Sequence, residues 1–117
     1  MQRFFLSILL YFSSYQLPVA DKKKAINSSI NNAAQGANYL MVKPGMTSID
    51  LIGDIKKETL LPTGAFQVSG EFASLQMLSK ANFGNYIDLL RESLVVLKRA
   101  QSDFIITYGA RDIAKYL

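Results

Sequence analysis

Three polar residues, Lys43, Ser69 and Tyr108, each stand just after an apolar stretch of the sequence and have side chains that can do chemistry. Lys43 ends the apolar run 39–42, and a Pro-Gly pair follows it. Burial disfavours the charged form of a lysine, which makes its neutral amine available. A neutral amine is the nucleophile that forms a Schiff base with a ketone. Lys43 is therefore the first candidate for covalent chemistry in this chain.

Each of these residues also has an ordinary structural interpretation. Lys43 would then be a surface lysine, Ser69 a helix-capping serine and Tyr108 an aromatic residue at a sheet edge. The functional interpretation is favoured because all three follow strands, and the C-terminal ends of parallel strands meet at one edge of a sheet. An amine, a hydroxyl and a phenol that converge there could bind and activate a keto acid.

The elements that must position these residues alternate between strand and helix from residue 39 onward. Asp21 is a candidate N-cap for a first helix. Thr47 with Asp50 three residues later resembles a capping box that opens a second helix. The predicted strands cover 39–42, 64–68 and 104–107, with 5–12 as a candidate fourth, and the predicted helices cover 21–34, 47–60, about 71–81, 85–100 and 112–117.

Strands that are apolar throughout and separated by helices indicate βαβ units and a parallel sheet that is covered on both faces. At 117 residues the chain has room for one α/β domain with a modest core. So few strands do not close a barrel, but they fit a segment of a larger one. The predicted organisation is an apolar N-terminal segment, residues 1–13, followed by a partial barrel domain, residues 14–117.

The composition excludes several kinds of reaction and ligand. The sequence has no cysteine and no histidine, which excludes disulfides, thiol nucleophiles and the usual zinc ligands. It also leaves general acid–base work to Lys, Tyr, Asp or Glu. The net charge of +4 comes mainly from dispersed lysines, and the run 22–24 is typical of a solvated first helical turn. No aromatic residues are interleaved with the basic ones, so we expect no nucleic-acid partner.

Four ordered motifs give the chain a resemblance to a known family. They are residues 36–45 around the candidate lysine (Gly-Ala-Asn-Tyr-Leu-Met-Val-Lys-Pro-Gly), 67–72 (Gln-Val-Ser-Gly-Glu-Phe), 105–108 (Ile-Ile-Thr-Tyr) and 15–17 (Tyr-Gln-Leu). Together they resemble porphobilinogen synthase, also called delta-aminolevulinic acid dehydratase, over about residues 14–117. The resemblance implies the C-terminal third of a (β/α)8 TIM barrel, with parallel strands alternating with helices and the barrel incomplete.

The family is a lyase that condenses two molecules of 5-aminolevulinate into porphobilinogen, the pyrrole precursor of haem and other tetrapyrroles. By resemblance, Lys43 forms the Schiff base with the substrate ketone. Ser69 and Tyr108 would bind the carboxylate of the other substrate molecule, and Gln16 would help to line the site. The resemblance also implies a cytoplasmic homo-oligomer, typically an octamer, with no membrane expected.

The chain departs from the family's pattern at several positions. A second active-site lysine, which the family carries on an earlier strand, has no counterpart here, and the zinc-binding cysteines are absent. Ser28 falls where some members have a magnesium-binding glutamate, and a hydroxyl lacks the charge for a tight Mg²⁺ site. Family members often use zinc or magnesium, but we expect no metal and no other cofactor in this chain. Asn38, Ser48 and Phe66 replace an aspartate and two tyrosines of the family's motifs.

These departures leave the activity of the chain open. The first hypothesis is a truncated porphobilinogen synthase that is inactive alone and prone to aggregate unless a partner supplies the missing strands. The alternatives are a non-catalytic remnant that at most associates with related subunits, and a small membrane-attached protein anchored by the apolar run 4–12. Residues 1–13 do not resemble the family and are expected to be what remains when a reading frame starts inside a longer gene.

Overall fold

The structure, a computed structural model, describes residues 6–9 and 19–116. Its strands are β1 (Leu6–Leu9), β2 (Tyr39–Val42), β3 (Thr63–Gln67) and β4 (Ile105–Thr107), and its helices are α1 (Lys22–Ala34), α2 (Ile49–Thr59), α3 (Ser69–Lys80), α4 (Tyr86–Arg99) and α5 (Ala110–Ala114). The strands form one parallel sheet in the spatial order β1-β2-β3-β4. This open sheet confirms the predicted α/β class and the incomplete barrel.

Most of the predicted elements are found close to their predicted bounds. Strand β2 has the predicted bounds, and the Asp21 cap of α1 is confirmed, because Asp21 Oδ1 accepts a hydrogen bond from the Lys24 backbone N–H at 2.9 Å. The capping box predicted at Thr47 is wrong. Helix α2 begins later, after Ser48, whose side chain makes no capping bond. The loop before α2 is held instead by contacts from another part of the chain, so the helix does not begin where its local sequence suggests.

Alternate residues of the central strands face the helices and form the apolar core. Leu40 and Val42 of β2 and Ala65 of β3 are at most 1% exposed. The rest of the core comes from the helices and the α1–β2 loop: Ala25, Ala37, Leu51, Ile52, Ile55 and Leu97. Helices α1, α2 and α4 therefore pack against the same face of the sheet. The opposite face of the sheet is turned inward, as in a segment of a barrel.

The inward face of the sheet, opposite the helices, carries aromatic rings. The Phe104 ring lies across Gly64, where a Cβ would overlap it, and meets the Tyr39 ring edge-on with 6.3 Å between centroids. Gly64 pairs with Met41 of β2, which also points inward and is 1% exposed. A glycine in the middle of β3 is therefore required by the close approach of a neighbouring ring.

A polar clamp ties the N-terminal end of β3 to α2 and to the loop before β4. The carboxylate of Asp103 accepts hydrogen bonds from the Thr63 backbone N–H at 2.8 Å and from Lys56 Nζ at 3.1 Å. Lys56 Nζ also donates to the Gln101 carbonyl at 2.9 Å. The backbone hydrogen bond from Thr63, followed by the Lys56 interaction, holds the pKa of Asp103 below its usual value against the opposing effect of burial.

The sheet is open on the β4 side within the described residues. Beside β4 lies a groove of about 610 Å³, lined mainly by apolar side chains of α4, β4 and α5, among them Leu94, Ile105 and Ile113. On the inward face, Ile106 is 39% exposed and Tyr108 is 61% exposed. These are surfaces that a further barrel strand and helix would cover.

The apolar N-terminal segment contributes to the same sheet. Its residues Leu6–Leu9 pair in parallel with β2, and its other residues lie outside the described ranges. The division into residues 1–13 and 14–117 stays a prediction. No helix in the described ranges is both long and apolar enough to cross a membrane.

Replacing Gly64 with Ala is expected to lower the free energy of unfolding by about 1–3 kcal/mol, because the added methyl would overlap the Phe104 ring. Gly70 provides the matched control, since a Cβ there meets no atom within 4 Å, and Gly70→Ala should leave stability unchanged or raise it by up to about 1 kcal/mol. Urea unfolding followed by circular dichroism measures both variants. Equal stability of the two variants would contradict the packing of Phe104 on Gly64.

The clamp around Asp103 predicts that stability falls in acid. Because the pKa of Asp103 is lower in the folded chain, its contribution is fully present above the unfolded pKa, near 3.9, and is lost as pH falls from there through the lower folded pKa. The carboxylate is 39% exposed, so solvent screening limits the contribution to about 1 kcal/mol or less. The difference in melting temperature between wild type and Asp103→Asn should therefore shrink from pH 6 to pH 3. A difference that stays constant over this range would rule out the carboxylate as its source.

Candidate functional site

Lys43, Ser69 and Tyr108 lie at the C-terminal edge of the sheet. Lys43 follows β2 directly and Tyr108 follows β4 directly. Ser69 stands two residues beyond β3 and is the first residue of α3, with an exposed side chain. Gln16, the fourth predicted site residue, lies outside the described residues. The chain thus brings an amine, a hydroxyl and a phenol to one edge of three neighbouring strands.

Lys43 is half-buried and lies against an aromatic ring. Its Nζ is 5.2 Å from the centroid of the Phe66 ring. The register explains this contact, because Val42 pairs with Ala65 and the next residues of the two strands are Lys43 and Phe66. The negative face of an aromatic ring attracts a cation. Phe66 therefore holds the nitrogen of Lys43 on the inward face of the sheet.

Phe66 is the first of four aromatic rings that lie in a row along this edge. The centroids of Phe66 and Tyr108 are 6.1 Å apart, those of Tyr108 and Phe72 are 6.0 Å apart, and those of Phe72 and Tyr86 are 6.2 Å apart. Such separations are typical of favourable edge-to-face and tilted contacts. Tyr108 is mostly exposed, yet its ring is held between two others, and Lys43 and Tyr108 share Phe66 as a neighbour.

Tyr86, at the far end of this aromatic row, has a raised pKa. Burial, together with a hydrogen bond from its hydroxyl to Asp112 Oδ2 at 2.8 Å, raises the pKa of Tyr86 to about 12. The phenol therefore stays protonated at any physiological pH and keeps donating to Asp112. This bond ties the first residue of α4 to α5, the helix that follows Tyr108.

A buried polar network fixes the strand ends behind the aromatic row. Gln67 is 1% exposed, its Nε2 donates to Ser93 Oγ at 2.8 Å, and its Oε1 accepts from Thr107 Oγ1 at 2.7 Å. Ser93 Oγ donates in turn to the Leu90 carbonyl, and Thr107 Oγ1 accepts from the Gly109 backbone N–H at 3.1 Å. Because the buried amide is bonded at both ends, the residues on either side of Tyr108 are held to β3 and α4.

Glu71 binds two separate loops at this edge. Its Oε1 accepts from the Gly45 N–H at 3.2 Å and from the Val68 N–H at 3.1 Å, and its Oε2 accepts from the Met46 N–H at 2.8 Å. The Val68 bond is the Glu half of a capping box for α3. The Gly45 N–H also donates to the Phe66 carbonyl at 2.7 Å. One half-buried carboxylate thus joins the loop after Lys43 to the turn before Ser69.

Metal ligands are not assembled in the described part of the chain, where no three or more Asp, Glu, His or Cys side chains come together. Ser28, the position that some family members use for magnesium, is a half-buried hydroxyl on α1. Neither zinc nor magnesium fits the donors present, because both need clustered charged or imidazole and thiolate ligands.

Sequence reasoning missed two residues that shape the site. The sequence presents Glu71 only as the approximate start of a helix and as a member of the motif 67–72, although it stands three residues after Val68, the spacing of a capping box. That spacing could have revealed the Val68 bond but not the bonds to Gly45 and Met46, about 25 residues away. The sequence presents Gln67 only as part of a motif, and no local signal indicates that its side chain faces the helices.

Comparisons with known proteins agree with the resemblance stated from the motifs. The family model described as delta-aminolevulinic acid dehydratase matches residues 12–116. The delta-aminolevulinic acid dehydratase of Helicobacter pylori is 41% identical over 104 residues, which are 89% of this chain and 32% of that protein. The Escherichia coli enzyme of the same name is 39% identical over 102 residues, 87% of this chain and 32% of that protein.

A solved structure agrees with the fold as well. It is the delta-aminolevulinic acid dehydratase (porphobilinogen synthase) of Toxoplasma gondii in complex with the reaction product porphobilinogen. It superimposes with a TM-score of 0.86 and 31% identity, over 92% of this chain and 31% of that one. The chain spans about a third of the length of the relatives it matches. By its sequence and its fold, the chain belongs to the delta-aminolevulinic acid dehydratase family.

Proposed function

We propose that Lys43 is the imine-forming lysine of a 5-aminolevulinate site, and that the chain carries this part of a porphobilinogen synthase. The observation that supports it most directly is the position of Lys43 Nζ, 5.2 Å from the Phe66 ring at the C-terminal edge of the sheet. Phe66 also contacts Tyr108, so the amine and the phenol belong to one surface. The family membership supplies the substrate class.

The proposed step is the condensation of an amine with a ketone. The neutral Lys43 nitrogen attacks the ketone carbon of 5-aminolevulinate, the nitrogen gives up its two protons, and the ketone oxygen leaves as water. The resulting imine, once protonated, draws electrons from the adjacent carbon and favours carbanion formation there. The Phe66 ring face would stabilise the positive charge of that iminium by the same attraction that it offers an ammonium group.

Ser69 and Tyr108 are proposed to bind the carboxylate of the other substrate molecule. Both present hydroxyl donors at the same edge, and hydrogen bonds to a charged acceptor are among the stronger ones in proteins. Ser69 opens the 12-residue helix α3, whose N-terminus carries partial positive charge. Gln16 would help to line the site, in keeping with its place in the family's motif.

We further propose that the chain does not complete the two-substrate reaction alone. It spans about a third of the length of its relatives, and the second active-site lysine of the family has no counterpart in its sequence. The open β4 edge and the groove beside α4 and α5 would be covered by further strands and helices of a barrel. Assembly into a homo-oligomer is part of the same proposal.

Treating the chain with 5-aminolevulinate and sodium borohydride is expected to leave a reduced, covalent adduct on Lys43, since borohydride converts an imine into a stable secondary amine. Peptide mass spectrometry locates the adduct. Lys43→Arg should abolish it, because an arginine side chain stays protonated and is not a nucleophile. Lys80→Arg, in the last turn of α3, is the matched control and should leave the adduct yield unchanged.

Parallel samples with 5-aminolevulinate but without borohydride test the incomplete reaction, because borohydride stops turnover once it has reduced the imine. Porphobilinogen should not accumulate, although the Lys43 adduct forms. Absence of an adduct at saturating substrate, or an adduct that persists in Lys43→Arg, would refute the assignment of Lys43. Release of porphobilinogen by the chain alone would refute the proposal that the site is incomplete.

A further inference from the structure

We propose that Glu71 is a positioning residue, whose carboxylate sets the place of Lys43 relative to Ser69 by binding the loops that follow β2 and β3. The proposal rests on the proposed function for its chemical meaning. Its structural content, that Glu71 determines where the Lys43 side chain lies, stands independently of the substrate.

The bonds of Glu71 are directed to backbone rather than to side chains. Oε2 accepts from Met46, and Oε1 is shared between Gly45 and Val68, at 2.8, 3.2 and 3.1 Å respectively. Backbone N–H groups of a loop cannot change partner without moving the chain, so these bonds restrain the loop itself. Gly45 and Met46 lie two and three residues after Lys43, and Val68 is the residue before Ser69.

The charge of Glu71 matters as well as its reach. Three N–H donors converge on its two oxygens, and a carboxylate has only acceptors to offer them. A glutamine has one oxygen and one NH2 group, and its NH2 group, itself a donor, would face at least one of these N–H groups and could not accept from it. The Gly45 N–H would keep its 2.7 Å bond to the Phe66 carbonyl, so Glu71→Gln should leave the strands paired and loosen the loop.

Loosening that loop should move the amine. Strand register brings Lys43 beside Phe66, but Lys43 is also the first residue after β2, so the path of the loop that follows affects where its side chain lies. A displacement of about 1 Å in a reacting group can reduce a reaction rate by up to about 100-fold. Glu71 would thus influence imine formation without contact with substrate, which is the meaning of a positioning role.

The first test follows the position of Lys43 by NMR and needs no substrate. In the wild type, the Lys43 ε-CH2 signals should be shifted upfield by the Phe66 ring, and Phe66→Leu should abolish this shift. Glu71→Gln is expected to remove most of it. Glu92→Gln, at an exposed position of α4, is the matched control and should leave it unchanged.

The second test measures the reaction. The rate of borohydride trapping should fall about tenfold or more in Glu71→Gln, and it should be unchanged in Glu92→Gln. If the wild type forms no adduct, the proposed function fails, while the NMR measurement still decides the positioning role. If the adduct forms and Glu71→Gln matches the wild type in both ring shift and trapping rate, the positioning role is refuted.

The wild-type chain provides a third measurement that applies even if Glu71→Gln does not fold. Amide hydrogen exchange should show the Gly45 and Met46 N–H groups protected to a degree similar to those of β2, because both are bonded to Glu71. Exchange of the Met46 amide at the rate of an unstructured peptide would overturn the proposal, since Glu71 is the only acceptor found for this N–H in the described residues.

Discussion

The arrangement at the C-terminal edge of the sheet depends on three backbone N–H groups that converge on the carboxylate of Glu71. Parallel strands deliver their ends to a common edge, but beyond the bond from the Gly45 N–H to the Phe66 carbonyl, the ladder does not continue into the described loops that follow. A carboxylate that accepts from both loops replaces the missing ladder. Because Lys43 lies two residues before Gly45 and Ser69 directly follows Val68, this single side chain relates two candidate functional groups that are 26 residues apart in sequence.

The two faces of the sheet serve different purposes. On the helix side, Leu40, Val42 and Ala65 form a dry core, and the polar Gln67 is accepted there only because Ser93 and Thr107 satisfy its amide. On the inward side, aromatic rings cover the strands and end in the row that contacts Lys43. Because side chains alternate between the two faces along each strand, neighbouring residues such as Phe66 and Gln67 lie on opposite faces.

Much of the fold could be predicted because it depends on local patterns. The bounds of β2 and the Asp21 cap follow from apolar runs and capping chemistry. The start of α2 could not be predicted from its own residues, because Glu71 holds the preceding loop from another part of the chain. The kind of layer that covers each face of the sheet could not be predicted either. Strands buried on both faces read as continuously apolar whether the second layer is helices or the interior of a barrel.

The sequence by itself determined the identity of the candidate groups and their place at the ends of strands, since residue type and strand period are local properties. Family membership also follows from the order of the motifs. Only the tertiary structure decided that Phe66 lies beside the Lys43 amine, that Tyr108 shares this ring, and that Glu71 joins the two loops. These contacts depend on strand register and loop closure between distant residues, which no local pattern in the chain encodes.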